Sequence, residues 1–594
     1  MNAEYNSLIT TTFCDNAIRS VMMIDDEYVP YHRLVDNLTD ATELSQIQDS
    51  LKASNKASEI QQFFEDKKLI CDVSDGLANF DPEKARKSDL LILDYQLENS
   101  SPKLSLSILK QLSKTKHMNL VVIYTNEDLK RVWLEIAASM KGYKKFEVEK
   151  QFKNEGFVDI WYDKTEEGSV IPEDWNQLID NDLAQYLKNG RFDFKKISKA
   201  LPDTDKRYSS DIALSSACIK LSDFDKLGDD FDDIEIKGSF NDSLWLKFGN
   251  IFVALHQKSE GNDAQKIWDT LTSSLIDWRP NYFRLISSEI QNQIENGAVT
   301  LNRYFEKEHN SQVAWLWQIL KNSEADSRKI RKLLENNTDS FKDNIIFGEE
   351  VINFSKNVCQ QLIDEIDTSS DKELIDFASR HVSKSINTRD QNLPSRVAHA
   401  LNCTLSTKDF TSNYITTGTI LYSQEKDTWL LCVTPACDTV PEQNNTELSE
   451  RLSPHFKMLK FIRLEKIKLN SALSKATEGT YLFLGEEVTL QTSSTPDLEY
   501  AIAKNTANAD NVFQLTTFST ESYEEKERSK DSEDKDGNEQ DEDHEEKEDK
   551  VGIVDQLFIV KAQLKDSYAA RYQALASHHT GRIGVDFIKF NQES

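Results

Sequence analysis

The sequence predicts a multidomain protein. It has an N-terminal α/β domain built on a doubly wound parallel sheet (residues 1–195), a central all-α region (196–404) and a C-terminal β-rich domain (405–594). Three observations carry this division. Short apolar runs with polar ends recur through the first third, as strands buried on both faces do. Apolar residues then recur at helical spacing over 240–390. Beyond residue 405, short strand-like runs alternate with turn residues. At 594 residues the chain is too long for a single core.

In the α/β domain the first run, Val21-Met22-Met23-Ile24, is followed by Asp25 and Asp26. Leu90-Leu91-Ile92-Leu93 leads to Asp94, Val121-Val122-Ile123-Tyr124 to Thr125, and Phe157-Val158-Asp159-Ile160-Trp161-Tyr162 to Lys164. In an open parallel sheet, ligands bind outside the carboxyl ends of the strands. Asp25, Asp26, Asp94, Thr125 and Lys164 are therefore expected to converge on one crevice. The plainer alternative is a set of solvated strand ends in some other α/β domain. Residues 174–186 read as a closing helix stopped at Gly190.

In the central region Trp245, Phe248, Ile251, Phe252 and Leu255 share a helical face, as do Ile267, Trp268, Leu271 and Leu275. Pro280 interrupts the pattern, which then continues to about residue 382, giving a bundle of roughly six to eight helices. Farther on, residues 414–423, 428–434, 459–464, 481–484 and 487–491 read as strands, with Gly418 and Gly479 in turns. A strand over 551–564, a helix over 567–576 and a last strand over 583–590 complete the domain. Residues 521–550 hold sixteen acidic and six basic side chains, about a third of the net charge of −30. With almost no apolar surface to bury, this segment is expected to be a disordered insertion. A mimic of polyanionic nucleic acid is the alternative.

The order Asp-Asp, Asp, Thr, Lys at strand ends resembles the receiver domain of two-component response regulators, over roughly the first third of the chain. The resemblance implies that Asp94 accepts a phosphoryl group and that Asp25, Asp26 and Asp94 hold Mg²⁺. It implies that Thr125 bonds the phosphoryl group, that Lys164 pairs with it, and that Trp161 is the switch aromatic. The chemistry points the same way. A carboxylate is a weak nucleophile toward an anionic phosphoryl group, and a hard cation on oxygen ligands offsets that repulsion. What remains is positioning and charge stabilisation by a hydroxyl and an ammonium.

There are departures from the family pattern. The stretch from Asp26 to Asp94 is long, and 140–152 carries a Lys-rich insertion. Asn126 follows Thr125 where a small residue is usual, and Tyr95-Gln96-Leu97 replaces the common turn. These mark a divergent branch. A receiver joined to a long tail also looks like the phosphate-buffering receiver proteins of Detocs-type anti-phage two-component systems. That resemblance implies a cognate histidine kinase as partner and admits a second receiver-containing effector.

Composition narrows the function classes. A net charge of −30 and a pI near 4.9 work against binding DNA. No apolar run reaches the length of a membrane span, and no signal peptide is evident. Seven scattered cysteines fit reduced thiols in the cytoplasm. Walker, HExxH and nucleophile-elbow motifs are missing, so phosphate is expected to be received, not taken from ATP. A second candidate site is Cys432, Cys437 and Asp438. The thiols could share zinc with His455 or with His578 and His579, or Cys437 could act as a nucleophile. A buried strand end is the ordinary alternative. An effector enzyme with this C-terminal site under receiver control is the competing function.

Overall fold

The computed structural model describes residues 3–28, 57–76, 82–97, 101–141, 173–190, 206–227, 234–259, 263–296, 309–320, 345–367, 370–383, 386–441, 456–493, 495–506, 510–522 and 549–580, with a few isolated positions. It comprises two compact units, Met1–Asp367 and Thr368–Ser594.

The first unit is built on a seven-stranded sheet. Its strands are β1 (Ser20–Ile24), β2 (Ile70–Ser74), β3 (Leu90–Leu93), β4 (Asn119–Thr125), β5 (Ile236–Phe240), β6 (Leu244–Phe248) and β7 (Ile251–Gln257), in the order β2-β1-β3-β4-β7-β6-β5. β2, β1, β3, β4 and β7 run parallel, while β6 and β5 extend the edge in antiparallel fashion. Every residue of β3 and β4 is buried, which is why these segments read as unbroken apolar runs.

Alternate side chains face opposite layers. Met22, Ile24, Leu91, Leu93, Val121 and Ile123 pack with helices α2 (Lys103–Ser113), α3 (Leu129–Lys141), α4 (Glu173–Asn189) and α5 (Ser209–Phe224). Val21, Met23, Leu90, Ile92, Leu120 and Val122 pack with the N-terminal helix α1 (Ala3–Thr10), the helix over 57–66, and α6 (Asp263–Trp278), α7 (Tyr282–Glu295) and α8 (Glu349–Ile363). The chain leaves β1 toward β2 on one side and returns through β3 on the other, so the strand order reverses between β1 and β3.

The helical face expected across Trp245, Phe248, Ile251, Phe252 and Leu255 is instead a β-hairpin, β6 and β7. A buried run such as Ile251-Phe252-Val253-Ala254-Leu255 has no periodicity that separates strand from helix. Gly249, at φ +49°, turns the chain between the two strands. The sheet therefore continues well past residue 195. Helices α6, α7 and α8 cover one face of it, where the sequence suggested a separate bundle.

The second unit contains an antiparallel barrel. Its strands are β9 (Thr419–Ser423), β10 (Thr428–Cys432), β11 (Phe456–Lys466), β14 (Leu498–Lys504), β15 (Val512–Ser522) and β16 (Asp549–Leu564), with the short β8 (Thr407–Lys408) on β16 and the hairpin of β12 (Tyr481–Leu484) and β13 (Val488–Gln491) on β11. The path β10-β9-β16-β15-β14-β11 is closed by pairing of β11 with β10. The strand expected from residue 414 starts only at Thr419, after a turn through Gly418 at φ +86°. Leu421, Leu430, Cys432, Leu459, Phe461, Ala501, Phe513 and Phe558 form one core. A second core packs Ile420, Leu431 and Ile462 against Ala569, Tyr572 and Ala576 of the helix Asp566–Thr580. The acidic segment joins β15 to β16, with Glu521 opposite Lys550 at the last described rungs. Most of it lies outside the described residues, as do 157–162, with Trp161, and 583–590.

The hairpin makes a testable demand. A Cβ on Gly249 would lie 2.2 Å from the Ser113 carbonyl oxygen, at a φ that side-chain-bearing residues rarely adopt. Gly249→Ala is expected to destabilise the protein by about 1–3 kcal/mol. Gly485→Ala, with nothing within 4 Å, is the control. Equal melting curves for the two variants would contradict the hairpin.

Candidate functional site

The crevice lies at the carboxyl ends of β1, β3, β4 and β7, beside the switch in strand order. Parallel pairing fixes its frame. The Asp94 N–H donates to the Ile24 carbonyl at 2.8 Å, and the Asp25 N–H donates to the Ser74 carbonyl at 3.1 Å. The Lys258 N–H donates to the Thr125 carbonyl at 2.8 Å, continuing the β4–β7 ladder one residue beyond the strand. Asp25, Asp94 and Thr125 are buried, and Asp26 is exposed.

The carboxylates of Asp25, Asp26 and Asp94 offer oxygens that all lie within 4.8 Å of one another. Lys258 stands among them. Its Nζ is 2.8 Å from Asp25 Oδ2 and 2.9 Å from Asp94 Oδ2, with the ammonium side chain 6% exposed. The Asp94 backbone carbonyl accepts the Ser105 hydroxyl at 2.8 Å, which anchors the strand end to α2. The Thr125 hydroxyl accepts the Glu127 N–H at 3.2 Å, which leaves its proton to donate elsewhere.

Burial pushes the Asp94 carboxyl up to about 6; Lys258 pulls it down, and Asp25 adds to the rise. Asp26 is also raised, first by desolvation and then by Asp25 and Glu27. Burial works to lower the Lys258 ammonium, but Asp25 and Asp94 outweigh it and its pKa rises. Three carboxylates and one ammonium leave an excess of negative charge in an all-oxygen donor set. Mg²⁺ suits such a set. Among the described residues these three form the only group of three or more His, Cys, Asp or Glu side chains arranged to share a metal ion.

A second layer holds Lys258 and Thr125 in place. Asp263, at the start of α6, accepts the Tyr124 hydroxyl, the Ser259 hydroxyl at 2.5 Å and the Ser259 N–H at 3.4 Å. Tyr124 precedes Thr125 and Ser259 follows Lys258. The Lys258 Nζ also lies 5.4 Å from the centre of the Tyr124 ring. Tyr124 and His256 pair across β4 and β7 and stack with their rings 6.1 Å apart.

The sequence reading brings Asp25, Asp26, Asp94 and Thr125 to this crevice by their strand ends, and the structure places all four there. Lys164 and Trp161 lie outside the described residues. The ammonium that reaches Asp25 and Asp94 is Lys258, which the sequence reading missed. Its signal is the same as for the other strands, an apolar run, Ile251 to Leu255, ending near a charged residue. The residue three before Lys258 is Leu255, so no aromatic stands at that position.

The C-terminal candidates do not converge. Cys432 is enclosed in a barrel core, whereas Cys437 is exposed. The Cys437 thiol donates to Asp438 at 3.3 Å, and this bond pushes its pKa up, opposite to what a nucleophile needs. His578 is exposed, and His455 lies outside the described residues.

The charge imbalance yields a pH prediction. With a folded pKa near 6, above the unfolded carboxylate value, Asp94 favours the folded state below about pH 4. That contribution is lost as pH rises through 6. Metal-free protein should therefore lose up to about 3 kcal/mol of stability over that window, less where solvent screens the site. Asp94→Asn should flatten the profile. Thermal melts between pH 4 and 7.5 check this, and identical profiles for the two proteins would contradict it.

Comparison with known proteins agrees with this geometry in the N-terminal region. No curated protein and no solved structure matches the chain. Residues 17–165, which carry β1 to β4 with Asp25, Asp26, Asp94 and Thr125, match the family model described as the response receiver domain, and the match ends before β5, β6 and β7.

Proposed function

We propose that this protein accepts a phosphoryl group on Asp94 from a partner histidine kinase, serving as a phosphorelay regulator or phosphate sink. The observation that carries the reading is the meeting of Asp25, Asp26, Asp94 and Lys258 at one crevice of a receiver sheet. In the transfer, an Asp94 carboxylate oxygen attacks phosphorus. The P–N bond of the donor phosphohistidine breaks, and the imidazole leaves with the electron pair.

Mg²⁺ bound by Asp25, Asp26 and Asp94 would supply charge neutralisation for the incoming phosphoryl oxygens. Lys258 supplies a second positive charge. It already bridges Asp25 and Asp94, so it needs to move little to pair with an oxygen of the product. The Thr125 hydroxyl donates to another oxygen. Thr125 ends β4 and Lys258 directly follows the adjacent β7, so their rearrangement shifts the β4 and β7 ends together. That is a local charge event biasing the surface around α6. The sink role and an anti-phage setting rest on the architecture, a receiver followed by a barrel-containing tail.

The test is a phosphate-affinity gel after incubation with acetyl phosphate and Mg²⁺. Wild type should shift and Asp94→Asn should not. Lys258→Ala should slow phosphorylation by about a hundredfold, while Lys164→Ala should leave it near wild type. A shift that persists in Asp94→Asn, or a loss confined to Lys164→Ala, would overturn the assignment. A phosphoprotein lifetime of minutes or less would support the sink, and one of hours the lasting switch.

A further inference from the structure

Tyr28 follows the acidic pair in the turn after β1. Its N–H donates to the Asp25 carbonyl at 3.0 Å, which folds the turn back over the strand end. The residue is 3% exposed. Its hydroxyl is buried and has no hydrogen-bond partner among the described residues. Asp25, Asp263, Glu27 and Asp94 all act on that hydroxyl electrostatically, and it acts in turn on Tyr124. Tyr28 packs in the same core layer as Tyr124, beside the crevice, and among the described residues no carboxylate accepts its hydroxyl.

A buried hydroxyl left without an acceptor costs free energy, so such groups are uncommon. A phosphoryl group on Asp94 would project its oxygens beyond the carboxylate, toward donors that the bare carboxylate does not reach. We propose that Tyr28 is a further positioning residue of this site, whose hydroxyl donates to an oxygen of the phosphoryl group carried by Asp94. The inference rests on the assignment of Asp94 as acceptor. It adds a neutral donor to the cation, the Lys258 ammonium and the Thr125 hydroxyl. It also accounts for a tyrosine buried with its hydroxyl unpaired among the described residues. The group gains its acceptor only in the phosphorylated state, so it favours that state without stabilising the resting one.

The experiment uses the full chain and the phosphoryl mimic beryllium trifluoride, titrated by calorimetry with Mg²⁺ present. Wild type, Tyr28→Phe and Asp94→Asn are compared, and Mg²⁺ alone is titrated into each. Tyr28→Phe should bind the mimic about tenfold more weakly. Its Mg²⁺ affinity should be unchanged and its melting temperature no lower than that of wild type, since the deleted hydroxyl has no partner among the described residues. Equal affinity of Tyr28→Phe and wild type for the mimic would overturn the inference and leave Asp94 untouched. An equal weakening toward Mg²⁺ alone would also overturn it, by assigning the hydroxyl to the cation's water shell. Absence of binding in wild type would overturn the acceptor reading itself, and the Tyr28 inference with it.

Discussion

The N-terminal unit depends on one interaction, the Lys258 ammonium held between Asp25 and Asp94. Two buried carboxylates, with a third at their side, repel one another in a crevice with little water. Without a positive partner they would drive the strand ends apart or take up protons. The ammonium lies within 3 Å of both buried carboxylates. Such a pair is a weak source of net stability, because three charges lose hydration to form it. Its value is geometric. It draws β1, β3 and β7 toward one point and keeps the crevice ready for a charged ligand.

The surroundings make sense in that light. Lys258 is fixed from below by its backbone bond to Thr125 and from the side by Ser259, which is tied to Asp263. Asp263 also holds Tyr124, the neighbour of Thr125. The residue types that would meet a phosphoryl group, an ammonium and a hydroxyl, are therefore linked through one carboxylate at the start of α6. A ligand that competes for Lys258 would be felt at α6 through one peptide step, to Ser259, and the hydrogen bonds from Ser259 to Asp263. Coupling of this kind needs no long pathway, since the responding helix begins where the site ends.

Much of the site was legible in the sequence, and for a physical reason. Val21 to Ile24, Leu90 to Leu93 and Val121 to Tyr124 are apolar because their strands are buried on both faces, and each ends in the polar residue that faces the crevice. Order and spacing then suffice to assemble Asp25, Asp26, Asp94 and Thr125. The fifth strand was obscured in two ways. Helices α4 and α5 and the edge strands β5 and β6 come between β4 and β7 in the chain. In addition, the hairpin of β6 and β7 places Trp245, Phe248, Phe252 and Leu255 at intervals that imitate a helix. Tyr28 was illegible for a different reason. Its proposed role starts from a buried hydroxyl without an acceptor among the described residues, which only the three-dimensional structure reveals. In the C-terminal unit, the turn at Gly418 and the runs around Leu430 and Phe461 betrayed short strands. The closure of β10 onto β11 is a long-range pairing that local pattern does not encode.

The central claim is that Lys258 is the lysine of this site. A crystal structure of the full chain with Mg²⁺ and beryllium trifluoride tests it most directly. The fluoroberyllate is expected on Asp94, with the Lys258 ammonium moved from its bridge onto a fluorine. Another lysine in that place, with Lys258 turned to solvent, would contradict it.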